Sequence, residues 1–389
     1  MINRRTYTAS AMSLLIALAF SFQAGCRAEQ PWPLWEAYSQ RFIDPQGRVI
    51  DRSAGDRTTS EGQAYAMFFA LVANDRVRFE KLLTWTESNL AGGDLSLRLP
   101  AWEWGKNAQG EWKTLDENPA SDADLWMAYT LMEAGRLWRD DRYANLGLTM
   151  AKRIGRQEVG LANGVGPTLI PGPVGFHPDE NTWLLNPSYL PPPLLAYMAR
   201  YQQPGPWTGV IQSLPGLFGP GRGDGFAMDW VSVSSDGVKP AIAPAQPTAG
   251  TKDPRAVGSY DAIRVYLWAG IADPATPGVH GLMGQLSGMS DYMKTAAVPP
   301  VEVDGSGKTT GVDSPPGFSA AVAPFLAAAG MKTQATEQWQ RLSATKDASS
   351  GLYGRAAAYY DQNLALFSTG FLEQRYRFER DGRLKLKWK

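Results

Sequence analysis

The chain has 389 residues, of which 44% are hydrophobic, and carries 38 basic and 38 acidic residues. That length and composition can bury one large core or two ordinary ones, and they exclude a disordered or fibrous protein. A formal net charge of zero gives no electrostatic basis for a nucleic acid or an anionic membrane surface as partner.

The N-terminus has the pattern of an export signal. Arg4 and Arg5 form a basic start, an apolar run covers residues 11–22, and small residues around Cys26 provide a cleavage site. We therefore predict a signal peptide over residues 1–28 and a periplasmic protein. No later segment approaches the roughly 20 apolar residues of a membrane span, so no membrane insertion of the mature chain is expected.

Cys26 is the only cysteine and lies inside this signal. Disulfides and cysteine metal sites are therefore excluded from the mature chain. Residues 24–26 also resemble a lipoprotein cleavage box, although Gln23 stands where an aliphatic residue is expected. A lipid anchor at Cys26 and release from the cell stay as alternatives to a soluble periplasmic protein.

Apolar residues recur at helical spacing in about twelve segments of the mature chain, with little strand signal. Six segments are rich in Ala, Leu, Met and aromatic residues, whereas those between them are amphipathic. Helices that are apolar on every side belong in the interior, and helices with one apolar face lie outside them. The predicted helices cover residues 33–43, 60–74, 75–91, 120–139, 141–157, 188–202, 205–218, 258–272, 279–296, 317–330, 332–344 and 361–378.

The apolar segments begin near residues 60, 120, 188, 258, 317 and 361, which indicates repeated helical hairpins. Six stacked hairpins can close into a ring as one all-α domain over residues 29–389. The inner helices then run parallel, so their N-terminal ends meet at one face. The polar residues expected at those ends are Glu61, Asp122, Asp124, Asn186, Tyr189, Asp261, Asp313 and Asp361. Because Asp is favoured at helix starts, capping alone explains many of them.

Three connections, residues 92–119, 160–187 and 218–257, are long and rich in Gly and Pro. Long loops in a compact domain are usually functional or disordered, and the tryptophans here argue against disorder. We predict that the loops form a substrate cleft on the carboxylate face. Their indole rings suit the faces of pyranose sugars, although anchoring of the loops in the core explains them equally well. These residues are Trp102, Trp104, Trp112, Trp183 and Trp230.

Glu61 precedes a nearly uninterrupted run of small and apolar side chains. Thr58 with Glu61 and Ser60 with Gln63 both fit the capping-box spacing, so a helix is predicted to begin within a residue or two of Glu61. This stretch alone is compatible with two roles for Glu61, a helix cap and a catalytic acid. A helix N-terminus favours an ionised carboxylate, so a catalytic acid here needs burial or a second carboxylate to stay protonated.

Other chemistries find little support. His177 and His280 are isolated, no Gly-x-Ser-x-Gly elbow occurs, and no Gly-rich phosphate loop is present. No metal and no organic cofactor is therefore predicted. Carboxylates beside aromatic platforms remain, and this pairing favours glycoside cleavage, in which one acid protonates the leaving oxygen and another carboxylate activates water.

Residues 120–128, Ala-Ser-Asp-Ala-Asp-Leu-Trp-Met-Ala, resemble the signature of glycoside hydrolase family 8, the inverting endoglucanases and their relatives. Thr130 departs mildly from the pattern. Residues 60–67 look like the general-acid motif of the family, and residues 259–264, Ser-Tyr-Asp-Ala-Ile-Arg, look like its third motif. The resemblance covers nearly the whole mature chain and implies an (α/α)₆ barrel.

The resemblance implies that Glu61 is the general acid. Asp122 would hold or distort the sugar and Asp261 would activate water, although either aspartate could carry the base role. Candidate substrate-binding residues are Tyr65, Trp102, Trp104, Asp124, Trp183, Tyr189, Tyr260 and Arg264. A bracing or capping role is the alternative for Asp124, and a structural ion pair is the alternative for Arg264.

Residues 125–138 look most like the family branch encoded with bacterial cellulose synthases. That likeness implies a periplasmic enzyme that cleaves internal β-1,4 bonds and trims nascent glucan. Its partners would be β-1,4-glucan chains and a cellulose synthase or export complex. Alternatives are the same fold acting on xylan, chitosan or mixed-linkage glucan, and a non-catalytic glycan-binding component of the export machinery.

Overall fold

The structure, a computed structural model, describes residues 31–244, 255–311 and 313–389. The predicted signal peptide, its cleavage site and Cys26 lie outside the described residues. Within these ranges the chain forms thirteen α-helices. They are α1 (Pro33–Phe42), α2 (Ser60–Val72), α3 (Arg76–Leu90), α4 (Ser121–Trp138), α5 (Asp141–Gln157), α6 (Pro192–Tyr201), α7 (Trp207–Ser213), α8 (Ile263–Ile271), α9 (Val279–Gln285), α10 (Ser287–Tyr292), α11 (Pro316–Ala328), α12 (Lys332–Ala344) and α13 (Tyr359–Leu372).

Six of these helices form a closed inner ring. In the order α2, α4, α6, α8, α11 and α13 each helix packs on the next, and α13 packs on α2. The ring closes tightly at Gly62, where a Cβ atom would lie 2.2 Å from the Tyr359 hydroxyl. Helices α3, α5, α7, α9 and α12 pack outside their inner partners, and α1 packs on α13. The predicted (α/α)₆ barrel of six helical hairpins is confirmed.

Burial follows the predicted alternation. Every residue of α2 except Glu61 is buried, whereas α5 buries only five of its seventeen residues. The centre of the barrel is filled by aromatic rings from facing inner helices, with the Trp126 ring 5.0 Å from Phe367 and 5.1 Å from Trp268. The interior is therefore a packed core, and any ligand must bind at an end of the barrel.

The connections differ between the two faces. Each long connection runs from an outer helix to the next inner helix, so the loops gather at the face where the inner helices begin. The inner-to-outer connections are short, with three residues between α2 and α3 and two between α4 and α5. This asymmetry places the predicted cleft loops beside the N-terminal ends of the inner helices.

The long connections contain small antiparallel sheets that the sequence did not predict. Each strand has two to five residues, too few for an alternating pattern to stand out. The strands are β1 (Thr58–Thr59), β2 (Glu103–Lys106), β3 (Trp112–Asp116), β4 (Val159–Ala162), β5 (Gly166–Leu169), β6 (Trp183–Leu185), β7 (Val231–Ser234), β8 (Gly237–Pro240), β9 (Val257–Gly258), β10 (Glu302–Asp304), β11 (Thr309–Thr310), β12 (Tyr376–Phe378) and β13 (Leu384–Leu386).

The last two strands correct a predicted helix. Residues 361–378 were expected to form one helix, but α13 ends at Leu372 and a hairpin of β12 and β13 follows. This hairpin covers the face where the inner helices end, and the Tyr129 hydroxyl donates a hydrogen bond to the Gly382 carbonyl over 2.8 Å. One end of the barrel is therefore closed by the chain's own C-terminus.

Other boundaries shift for local reasons. The predicted helix at 188–202 begins only at Pro192, after a 3₁₀ turn, because proline cannot donate the N–H bonds of a helix interior. The predicted helix at 205–218 ends at Ser213 and becomes 3₁₀ beside Pro215. The helix predicted at 279–296 divides at Leu286 into α9 and α10. None of the helices in the described ranges is long and apolar enough to cross a membrane.

Candidate active site

One arginine stands at the centre of the open face. The Arg264 guanidinium contacts three carboxylates: Nη1 pairs with Glu61 and lies 3.2 Å from Asp122 Oδ2, and Nη2 lies 3.0 Å from Asp261 Oδ1. Arg264 is only 2% exposed. A single buried cation therefore brings together the three carboxylates that the sequence singled out, from three different inner helices or the turns before them.

The three carboxylates differ in their access to solvent. The side chains of Glu61 and Asp261 are 22% and 30% exposed, whereas that of Asp122 is 4% exposed. Burial raises the pKa of Asp122 to about 7; Arg264 opposes this shift, and the charge of Glu61 adds to it. Asp122 is thus suited to holding a proton near neutral pH, while Glu61 and Asp261 can reach a ligand and water.

Glu61 enters the site because it is the second residue of α2. The helix cap is Thr59, whose hydroxyl accepts a hydrogen bond from the Gly62 N–H over 3.1 Å. Neither predicted capping box forms: the Thr58 hydroxyl donates to the Val49 carbonyl over 2.6 Å, and Gln63 Oε1 accepts the Val49 N–H over 2.6 Å. The predicted helix start is right, and the Glu61 carboxylate reaches Arg264.

Arg264 is held by neutral groups as well as by carboxylates. Nη2 donates to Ser188 Oγ over 2.9 Å, and Ser188 Oγ donates to Asn186 Oδ1 over 2.6 Å. Nη1 donates to the Tyr65 hydroxyl over 3.3 Å, and the guanidinium carbon lies 5.6 Å from the centre of the Tyr189 ring. These contacts fix the guanidinium on several sides, so it holds the three carboxylates in defined positions.

Asp261 precedes its helix. Residues 259–262 form a turn, and α8 begins at Ile263, later than the predicted start at residue 258. The carboxylate of Asp229, in the loop before β7, accepts backbone N–H groups of this turn. Arg264 and Asp261 stand three residues apart, which lets one turn of chain present both side chains to the site.

Asp124 lies away from the ligand face. It is fully buried, and so is Glu158, whose charge acts on it. Burial raises the pKa of both groups, that of Glu158 to about 8. Its complete burial favours the bracing alternative for Asp124 over direct contact with substrate.

The aromatic candidates divide into two groups. Tyr260 is 48% exposed beside Asp261. Trp183 is partly exposed, and the centre of its ring lies 3.9 Å from the centre of the His177 ring. Tyr65 is buried beneath Arg264 and offers its hydroxyl, not its ring face. Ligand stacking therefore fits Tyr260 and Trp183, whereas Tyr65 supports the arginine.

Two of the remaining tryptophans, Trp104 and Trp112, lie on the sheet next to Glu61. Trp104 stacks on Trp112 with ring centres 5.0 Å apart, and the Arg48 guanidinium carbon lies 4.4 Å from both rings. Trp102 is partly exposed, and its carbonyl accepts the Ser60 N–H over 2.9 Å. Trp230 is buried and stacks on Phe176 at 5.8 Å, as expected of a loop anchor.

Sequence reasoning missed three residues of the site. Ser188 follows Asn186, whose Asx turn was a readable signal, and Tyr360 stands at the start of an inner helix beside Asp361. The Tyr360 hydroxyl donates to the Tyr260 carbonyl over 2.6 Å, so it ties α13 to the Asp261 turn. Asp229 gave no signal, because its role depends on a contact across about thirty residues.

The remaining two helix-end candidates differ in burial. Asp361 accepts the Gly317 N–H over 3.1 Å and joins the starts of α13 and α11, while Asp313 is exposed. Within the described residues no group of three or more His, Cys, Asp or Glu is arranged to hold a metal ion.

The chain matches the family model for glycosyl hydrolases family 8 over residues 3–374. An endoglucanase of Xanthomonas axonopodis pv. citri (strain 306) is 43% identical over 98% of this chain and 95% of the relative. An endoglucanase of Escherichia coli (strain K12) is 41% identical over 97% of this chain and 96% of the relative.

Among solved structures, the endo-1,4-D-glucanase of Vibrio fischeri ES114 superposes with a TM-score of 0.80. It is 38% identical, and the match covers 92% of this chain and 99% of that chain. The similarity therefore extends over nearly the whole length of both chains.

Proposed function

This chain belongs to glycosyl hydrolase family 8, and on that premise we propose that it cleaves internal β-1,4-glucosidic bonds of cellulose with inversion at the anomeric carbon. The observation that carries the proposal is the placement of Glu61, Asp122 and Asp261 around one buried arginine at the open end of the barrel. The full-length relatives named endoglucanase support the substrate class.

Glu61 is the general acid that protonates the leaving oxygen. It is the one exposed residue of an otherwise buried helix, so it can reach a bound chain. A general acid must hold a proton when the leaving oxygen meets it, and Glu61 contacts Arg264 beside the carboxylates of Asp122 and Asp261.

Asp261 is the base that activates water. Of the two aspartates it is the more exposed, and a base must be reached by the water it deprotonates. Inverting enzymes hold their two carboxyl groups about 6.5–9.5 Å apart to leave room for that water. Glu61 binds Nη1 of the guanidinium and Asp261 binds Nη2, so the two carboxyl groups occupy different positions around Arg264.

Asp122 holds the sugar at the cleavage point. Its buried carboxyl has a pKa raised to about 7, so it can donate a hydrogen bond to a sugar hydroxyl or accept one from it. In this role it does not occupy the position of the attacking water. Distortion of the sugar ring towards the transition state lowers the barrier to cleavage. A buried polar group supplies part of this effect when its hydrogen bond to a sugar hydroxyl becomes stronger as the ring distorts.

Hydrolysis assays on soluble substrates test this proposal. We expect the enzyme to release shorter chains from carboxymethyl cellulose, with viscosity falling before reducing ends accumulate, and to act weakly on xylan, chitosan and mixed-linkage glucan. Preference for one of those glycans would overturn the substrate assignment. Binding of cello-oligosaccharides without any cleavage would overturn the enzymatic one.

We extend the proposal to the role of this enzyme in the cell. The export pattern of residues 1–28 and the likeness of residues 125–138 to the synthase-associated branch support a periplasmic enzyme that trims nascent glucan. Fractionation of cells that express the full chain is expected to place the mature protein in the periplasm. Deletion of the gene is expected to change the amount or length of secreted cellulose if the enzyme works beside a synthase or export complex.

A further inference from the structure

The turn that carries Asp261 is held from outside its own helix. Residues 259–262 precede α8, so their backbone N–H groups include donors that have no partner within a helix. The Oδ1 atom of Asp229 accepts the N–H groups of Ser259 over 2.7 Å, Asp261 over 3.0 Å and Ala262 over 2.7 Å. One carboxylate oxygen from a distant loop thus accepts three of the four backbone N–H groups of the turn.

The loop and the turn also fit closely along their backbones. The Asp229 N–H donates to the Val257 carbonyl over 2.9 Å. A Cβ atom on Gly258 would lie 2.0 Å from the Ala227 carbonyl oxygen, so only glycine permits this approach. The loop therefore sets the path by which the chain enters the turn.

This attachment bears on the catalytic geometry. The path of the turn sets the position of Asp261, whereas the Arg264 guanidinium is also held by Ser188 and by the other two carboxylates. Without the cap, the turn has to find other acceptors for three N–H groups and would shift. A misplacement of about 1 Å in a catalytic group can cost about 100-fold in rate.

We propose that Asp229 is a positioning residue that fixes the Asp261 carboxylate for water activation by binding the backbone N–H groups of its turn. The inference rests on the proposed function, in which Asp261 is the base. Asp229 does not touch the glucan in this role. Its charge strengthens the three hydrogen bonds, since bonds to an ionised acceptor are shorter and stronger than those to a neutral one.

The first test compares Asp229→Ala with Asp229→Asn. We expect Asp229→Ala to lower kcat on cellopentaose by about 100-fold with KM within about threefold, because the sugar-contacting residues are unchanged. The amide oxygen of Asp229→Asn can accept the same N–H groups, so it should retain kcat within about tenfold. Asp347 accepts the Ser350 N–H over 2.7 Å in an exposed turn, and Asp347→Ala is the matched control with unchanged kinetics.

A double-mutant cycle separates positioning from general damage. In an Asp261→Ala background, azide is the external nucleophile because it attacks without needing a base. We expect Asp229→Ala to change the azide-supported rate by less than about threefold there, since the base it positions is gone. If Asp229→Ala does not fold, Asp229→Ser takes its place, as a shorter polar side chain that cannot span all three N–H groups.

A kcat for Asp229→Ala within twofold of the parent would overturn the inference. So would an equal loss in the presence and absence of the Asp261 side chain, since that result assigns Asp229 a structural role only. Failure of the parent enzyme to cleave any glucan would instead overturn the proposed function, so the two failures are distinguishable.

Discussion

Buried ions lie at both ends of the barrel, but their charges are balanced in different ways. At the closed end, Glu133 is fully buried and pairs with Arg136 through two bonds of 2.8 and 2.5 Å, and its second oxygen accepts the Leu384 N–H over 2.8 Å. One carboxylate meets one guanidinium there. At the open end, one guanidinium serves three carboxylates.

The difference separates a structural ion pair from a reactive one. Both oxygens of Glu133 accept hydrogen bonds, and the C-terminal hairpin bonds to both members of the pair at Leu384. Three carboxylates around one cation leave an excess of negative charge, so protons can enter and leave as a ligand binds. The open end thus keeps the proton exchange that acid–base catalysis needs.

Of the variants that test this comparison, Glu61→Gln should have the largest effect on activity. Loss of the acid proton is expected to lower kcat on cello-oligosaccharides by about 10²–10⁴-fold, the usual contribution of a general acid. The melting temperature should stay constant or rise, because one of three carboxylates that surround a single guanidinium loses its charge. Steady-state kinetics with calorimetry on the same preparation measures both, and full retention of hydrolysis would refute the acid assignment.

Glu133→Gln is the mirror-image change at the closed end. It leaves Arg136 without its carboxylate and weakens the bond to the Leu384 N–H, so the free energy of unfolding should fall by about 2 kcal/mol. This figure lies below the cost of breaking a fully buried pair, since Arg136 is partly exposed. Activity per folded molecule at low temperature should match the parent. Loss of kcat without loss of stability would contradict the division between the two ends.

Glu158→Gln tests the buried acid pair behind the site. The pKa of Glu158, about 8, is raised above the roughly 4.3 of an unfolded glutamate, so the folded state holds the extra proton between these values. Stability from this group is present below about pH 4 and is lost as pH rises through about 8. A glutamine at this position does not titrate, so the variant should gain up to about 4 kcal/mol of stability over the parent at pH 9 relative to pH 5.

Denaturant unfolding of both proteins across that pH range measures the gain. The exposed Glu117, which pairs with Arg98 on the surface, supplies the control variant Glu117→Gln, with no pH-dependent difference expected above pH 5. Parallel stability curves for Glu158→Gln and the parent would show that the buried pair holds no proton.

Tyr260→Ala should give the smallest effect. An exposed ring that stacks on a sugar contributes about 1 kcal/mol, so KM on cellopentaose is expected to rise about fivefold with kcat nearly unchanged. Tyr201, an exposed tyrosine that donates to Asp381 near the closed end, provides the matched change Tyr201→Ala with no kinetic effect. Equal KM values for both variants would remove Tyr260 from the ligand surface.

Much of this architecture was predictable from residue patterns. Helices apolar on all sides marked the inner ring, and their regular spacing indicated closed hairpins, so the carboxylates at their starts fell on one face. The boundaries of α6 and α8 and the short strands were not predictable. Each depends on prolines, turns or pairing with distant loops that outweigh local apolar spacing.

The site shows the same limit. Glu61, Asp122 and Asp261 were recognisable because they stand at helix starts within motifs, but the central place of Arg264 required knowing which helices face each other. Asp124 shares its motif with Asp122 yet is fully buried beside Glu158. Two residues apart on a helix, the side chains face different surroundings, and a motif alone cannot assign them the same role.

The anomeric configuration of the first product released from cellopentaose tests the central claim most directly. Proton NMR during the first minutes of hydrolysis distinguishes the α-anomer from the β-anomer before they interconvert. With Glu61 as acid and Asp261 as base, water attacks from the face opposite the leaving group, so the α-anomer should appear first. Initial release of the β-anomer would show retention and would contradict the assignment of Asp261 as a base that activates water.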